Sequence, residues 1–249
     1  MEASPLARLQ PPLYQNCRSL ESGDSGIRIY APMSYAIVRQ AQVVPIVHTE
    51  ALRMASWFPI CWQARQSEPI LVVLRTLHSD GSHQPAGSPA LTGSLPFALQ
   101  AYPFVVGAPG SESGKAHLFD DAIPDQPTDV GSPVTTMAGK PARGADLKIR
   151  AATAFNSALA LTEAMTAALA DSGMFEPWPL DFDVSAQKLS VNDLLVIQQK
   201  DTPPEKVARF VRTFGSAGAT LIGAHRISLF RAGSLLQSAQ AGAPTNRTM

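Results

Sequence analysis

Charge is scarce in this chain. Only 16% of its 249 residues are Asp, Glu, Lys or Arg, and 20 basic residues are matched by 20 acidic ones, whereas globular domains usually carry about 25% charged residues. Without a basic excess no field condenses on phosphates, which disfavours a general nucleic-acid binder. Cysteine is scarcer still. Cys17 and Cys61 are too few for a disulfide scaffold and lack C-x-x-C spacing, so reduced thiols are expected. Long apolar runs are missing too: the best stretch, residues 151–173, is interrupted by Thr, Ser, Asn and Glu163, so no membrane insertion is expected. Residues 1–15 lack the charged and apolar regions of a secretory signal. These absences predict a soluble, cytoplasmic protein. With so little charge to keep a lone chain in solution, a protein partner is expected to cover part of the surface, in a hetero-complex or a homo-oligomer.

What the chain has is proline and glycine, 21 and 17 residues, with 45% hydrophobic residues. Residues 1–24 are aperiodic and proline-bearing and read as an extended arm, whose Leu6, Leu9, Leu13 and Tyr14 lie on a neighbour or on the body. Alternation from Ile27 to Ile29 and from Tyr35 to Val38 predicts short strands broken at Pro32. Residues 43–47 and 70–77 read as further strands, with a helix over 49–58 between them and a short strand at Phe104 to Val106. Residues 107–143, crowded with Gly, Pro, Ser and Asp, form a long irregular loop. The alanine- and leucine-rich stretch 145–171 predicts the clearest helix, with Gly173 as its stop. Two strands follow, at 178–184 and 193–199, joined through 185–192. A helix opens at Pro203 and Pro204 and ends at Gly215, and a last one spans about 224–240. Strands early and helices late, without regular alternation, predict an α+β fold: short antiparallel strands in the N-terminal half, helices concentrated in the C-terminal half. The expected organisation is an arm at 1–24, one domain at 25–241 and a flexible tail at 242–249.

Motifs that carry chemistry are weak. Gly110-Ser-Glu-Ser-Gly-Lys115 follows an apolar stretch as a P-loop does, but Pro109 stands where the first glycine is needed and Ala116 where a magnesium-binding hydroxyl belongs. His48, His78, His83, His117 and His225 show no metal-ligand spacing, so neither a metal nor a cofactor is predicted. His225 opens an apolar helix close to Ser228 and is the best-placed histidine for catalysis, although a buried histidine bonded to a backbone carbonyl is the simpler reading. Asp181 and Asp183 alternate with Leu180 and Phe182 and so share one strand face, which suits acid/base pairing or simply the wet side of a strand. Cys61, followed by Trp62, reads as a structural thiol. Leu9, Leu13, Tyr14, Tyr102, Phe104 and Trp178 are the candidate partner-binding side chains, since aromatics supply large apolar anchors.

Several short elements in a fixed order carry a family resemblance. They are Tyr35-Ala36, Val44-Pro45-Ile46 with Glu50, Pro59-Ile60, Leu95-Pro96 and Tyr102-Pro103-Phe104, then Leu118-Phe119-Asp120, Phe155 with Thr162, Trp178-Pro179-Leu180, Gly218-Ala219, Ala224-His225 and Ser228-Leu229. In this order they resemble the SapC-like family, named for a component of surface-layer protein export and distinct from the membrane permease of the same name. The chain departs from the family pattern at Asp121-Ala122-Ile123-Pro124, where a glycine turn is usual. The resemblance implies a bacterial accessory protein of surface-layer or outer-membrane export, or of an oxygenase or halogenase system. It supplies no catalytic residues. The leading expectation is therefore a partner-binding accessory protein, with two alternatives: an enzyme or enzyme subunit acting on peptide or amino-acid side chains through His225, Asp181 and Asp183, and a structural subunit of a larger assembly.

Overall fold

The computed structural model describes residues 13–19, 26–65, 68–82, 95–107, 118–121, 123–127, 130–138, 140–184, 187–198 and 202–241. Leu9, His83, His117, the Gly110–Lys115 motif and the tail from residue 242 lie outside them. The strands are β1 (Cys17–Ser19), β2 (Arg28–Ile29), β3 (Val43–Pro45), β4 (Ile60–Gln63), β5 (Ile70–Leu74), β6 (Leu118–Asp120), β7 (Ser132–Pro133), β8 (Phe175–Pro177), β9 (Leu180–Val184), β10 (Gln187–Val191) and β11 (Leu194–Ile197). The helices are α1 (Ala36–Gln40), α2 (Ala51–Met54), α3 (Phe97–Ala101), α4 (Arg143–Asp171), α5 (Pro204–Ser228) and α6 (Arg231–Ala241). The fold is α+β, with strands mostly in the N-terminal half and the longest helices towards the C-terminus. Contacts divide it into two compact units, one of residues 1–41 with 95–159 and one of 42–94 with 160–249.

The first unit pairs β1 with β6 and β2 with β7, both antiparallel. Between them, a 3₁₀ turn at Pro32–Ser34 runs into α1. Tyr35 to Val38, expected as a strand, is therefore the start of this helix. The buried pair Tyr35 and Val38 is spaced three apart, which serves a helix face as well as a broken alternation does. Phe104 forms only an isolated bridge to Phe119 where a strand was expected, because the chain has just left α3 through a turn.

In the second unit one antiparallel sheet runs in the order β3-β5-β4-β11-β8. Ile60, Trp62, Leu71 and Val73 are buried on one face, and Cys61, Val72, Leu74, Leu194 and Val196 on the other. A strand covered on both sides has no polar register to keep, which accounts for the uninterrupted Ile-Leu-Val-Val-Leu of β5. The second face packs on Leu180, Val184, Leu189 and Val191 of the β9–β10 hairpin and on Leu235 and Ala239 of α6. The segment 185–192, expected as a simple join, thus contributes β10, whose Leu189 and Val191 point inward while Lys188 and Ser190 face out.

Glycines stop the helices where expected. At the end of α4, Met174 N–H bonds to Leu169 O (3.1 Å) and Gly173 N–H to Ala170 O (2.9 Å), with Gly173 at φ 61°, the two crossed bonds of a Schellman cap. Gly215, at φ 60° and ψ −142°, breaks α5 into two helical segments. The last helix starts later than expected. Ser228 Oγ donates to His225 O (2.7 Å), a local bond that competes with helix propagation, and α6 begins only at Arg231.

Candidate functional site

The most unusual chemistry lies in the first unit, where three tyrosines, one carboxylate and one lysine are buried together. Tyr102, which precedes a cis proline, stacks on Tyr14 (centroids 5.9 Å apart) and meets Tyr35 edge-on (5.0 Å). Its hydroxyl donates to Asp120 Oδ2 at 2.8 Å. Asp120 also accepts the backbone N–H groups of Asn16 (2.8 Å) and Gln15 (3.2 Å), so one buried carboxylate holds both the tyrosine and the incoming N-terminal segment. Three donors are what a carboxylate needs to replace its lost water. Tyr14 Oη accepts the N–H of Val106 at 3.2 Å. Burial raises the hydroxyl pKa of both Tyr14 and Tyr102, and for Tyr102 the bond to Asp120 adds to it, so both phenols remain donors at neutral pH.

Lys148 completes the cluster. Its side chain comes off the second turn of α4, lies in a position 7% exposed, and donates from Nζ to the carbonyl of Tyr102 at 2.5 Å. The ammonium also stands 6.0 Å from the Tyr35 ring. Burial lowers its pKa to about 7. The nest therefore contains one group that changes charge near neutrality, enclosed by aromatic rings and bonded to a backbone carbonyl. Such an amine can take up and release a proton.

Lys148 is the first of four polar residues on the buried side of α4. Asn156 Oδ1 accepts Gly107 N–H (2.6 Å), Thr162 Oγ1 accepts His48 N–H (3.1 Å), and Thr166 Oγ1 accepts the Trp62 indole N–H (3.1 Å). Each meets a group on a loop or strand packed against the helix. His48 Nδ1 also lies 2.8 Å from Thr162 Oγ1, and the buried Glu50 close by accepts Val47 N–H and pairs with Arg53 (2.8 Å). The signal for Lys148 is legible in the sequence as a lysine in phase with the apolar positions Ala145, Ala152 and Phe155, but it was not among the residues singled out there.

The residues expected to do chemistry do not share a site. His225 is fully buried in the second unit. Nε2 faces the Ile197 N–H (3.2 Å) and must accept, so Nδ1 carries the proton and donates to Ile60 O (2.7 Å). Burial lowers its pKa to about 4, in keeping with a neutral ring wedged against Trp62 (5.0 Å). The pairing of β11 with β4, Leu195 against Trp62, extrapolates to Ile197 against Ile60, and there the imidazole stands as a rung between the strands. Asp181 and Asp183 lie instead on the exposed side of β9, where Asp181 Oδ1 accepts Ser190 Oγ (2.7 Å). Cys61 is buried, which raises its thiol pKa.

The expected partner anchors are also redistributed. Leu13, Tyr14, Tyr102 and Phe104 are core residues of the first unit, because residues 13–19 of the arm lie on the body against Asp120 and β6, and Trp178 is half-buried against the hairpin core.

A family model, SapC, matches residues 25–229. The chain belongs to the SapC family. The matched stretch holds Tyr35, Tyr102, Asp120, Lys148 and His225 but begins after Tyr14, so this SapC protein adds to its nest a segment from outside the matched region. Comparison with curated proteins and with solved structures gives no match in either. No helix among the described residues of this SapC protein is long and apolar enough to cross a membrane.

Proposed function

We propose that this SapC-family protein is an accessory protein that binds another protein chain through the excursion at residues 121–142. The observation that supports this reading is the exposure of Ile123 (89%), Val130 (83%) and Met137 (108%), three apolar side chains presented to solvent from one connection. Exposed single apolar residues are ordinary, but three on one excursion form the kind of surface that a partner covers. The excursion is held at its start, where Asp121 N–H bonds to Asn16 O, and part-way along, where Val134 N–H bonds to Ile27 O. A held loop of this kind loses less entropy on binding than a free one. The setting implied by the family resemblance, surface-layer or outer-membrane export or an oxygenase system, is where the partner is sought.

The test is affinity purification from the native bacterium with the wild-type chain and with a triple Ile123→Asp, Val130→Asp, Met137→Asp variant. A stoichiometric companion retained by the wild type and by Leu52→Asp, and lost from the triple variant, is the expected result. A companion that follows the triple variant equally well overturns the reading.

A further inference from the structure

Zero net charge conceals a segregation. Residues 204–241, which form α5 and α6, hold Lys206, Arg209, Arg212, Arg226 and Arg231 against the single acid Glu205, so the rest of this neutral chain carries the opposite excess. At the break between the two helices the basic character coincides with uncovered apolar surface. Ile227 is 65% exposed and Phe230 86% exposed. Arg226 and Arg231, both exposed, flank them in sequence. Among the described residues neither arginine has a carboxylate within ion-pair distance.

The inward side of α5 is already occupied by Leu221, Ile222, Ala224, His225 and Ser228. A helix carries its buried stripe on one side, and Ile227 lies on the other. Gly223, one turn before Ile227, has nothing within 4 Å of the position a Cβ would take, so the backbone there is open to close approach. Among the described residues, neither the glycine nor the apolar pair is explained by packing.

We infer that the Arg226–Ile227–Phe230–Arg231 surface docks an acidic helix of another protein, its apolar side chains covering Ile227 and Phe230 and its carboxylates meeting the two arginines. Charge decides between the occupants. A second copy joined about a two-fold axis, the commonest symmetry, would set arginine against arginine, and α5 and α6 offer no acid beyond Glu205 to relieve it. An anionic membrane would satisfy the charges but calls for a longer apolar face than two side chains supply. The Phe230 end also lies past the SapC match, which stops at residue 229, so the surface combines matched and unmatched sequence. It belongs to the other unit from the excursion at 121–142, and the inference does not depend on that excursion.

The inference is tested in the native bacterium by placing a photo-crosslinking benzophenone amino acid at position 230 of the full chain and identifying the adduct by mass spectrometry. The expected adduct is an acidic helical segment of another protein. Its yield should fall about tenfold with Arg226→Glu and Arg231→Glu, as expected for loss of complementary charge. It should survive the triple excursion variant, which separates this surface from the one proposed above. Adducts to phospholipid, to a second copy, or to a basic or neutral segment overturn the inference, as does the absence of any adduct. Should charge reversal perturb folding by circular dichroism, Arg226→Gln with Arg231→Gln gives the same readout, and an undiminished yield there likewise overturns it.

Discussion

Lys148 reaches the carbonyl of Tyr102 from the second turn of α4, and burial lowers the pKa of its ammonium. The folded pKa of about 7 lies below that of the unfolded lysine, near 10.4. Between these values the unfolded chain binds more protons, so stability should rise as pH increases. Urea unfolding of the wild type should therefore gain about 2–3 kcal/mol between pH 7 and 9 relative to Lys148→Met. Parallel pH profiles for the two proteins would refute this.

His225 gives a second pH window of the same sign. Its folded pKa of about 4 is below the unfolded value near 6.5, so stability is full above about pH 6.5 and falls as the unfolded chain protonates on the way down to pH 4. His225→Phe should flatten that fall. At pH 7 it should also cost about 2–4 kcal/mol, because Ile60 O and Ile197 N–H lose the side chain that bonds them. Denaturant midpoints at pH 4.5 and 7 measure both effects.

Asp120 fastens the N-terminal segment. Asp120→Ala should speed hydrogen exchange at the amides of Gln15 and Asn16, whose bonds it accepts, while leaving the β4–β5 amides of the other unit unchanged. Tyr102→Phe removes only one donor and should produce a smaller change at the same two amides.

Gly131 sits at φ +71°, and a Cβ there would come within 2.9 Å of the Tyr30 ring. Gly131→Ala should destabilise by about 1–3 kcal/mol from the left-handed backbone and the clash together. Gly26→Ala, which meets nothing within 4 Å, is the control. Thermal unfolding of the two variants distinguishes them.

The parts of the fold that were legible are those with strong local chemistry. The Ala- and Leu-rich α4 with its Gly173 cap, the proline-started α5 with its break at Gly215, and the apolar β5 all follow from residues close in sequence. Short apolar segments were less readable: Tyr35 to Val38 suits a strand or a helix, and only the turn at Pro32–Ser34 decides for the helix. For the candidate site, aromatic size pointed to Tyr14, Tyr102 and Phe104, but size does not distinguish a surface anchor from a core residue. Asp120 became conspicuous only when residues about a hundred apart, Asn16 and Asp120, were brought together, whereas the phase of Lys148 with Ala145, Ala152 and Phe155 is local.

Because β4 is buried on both sides at Ile60, Cys61 and Trp62, a slip of one residue against β11 would exchange one greasy face for another, and hydropathy would not object. The alignment must be specified by something that reads the main chain itself. Ser228 Oγ takes the N–H of Ile60 at 2.8 Å and His225 takes its carbonyl at 2.7 Å, so two side chains one helical turn apart grip both polar groups of a single residue. A shifted strand would offer the grip a different peptide and leave the neighbouring pairings out of step. The histidine that looked most like a catalyst thus acts as a detent, fixing by polar recognition a position that oil alone leaves undecided.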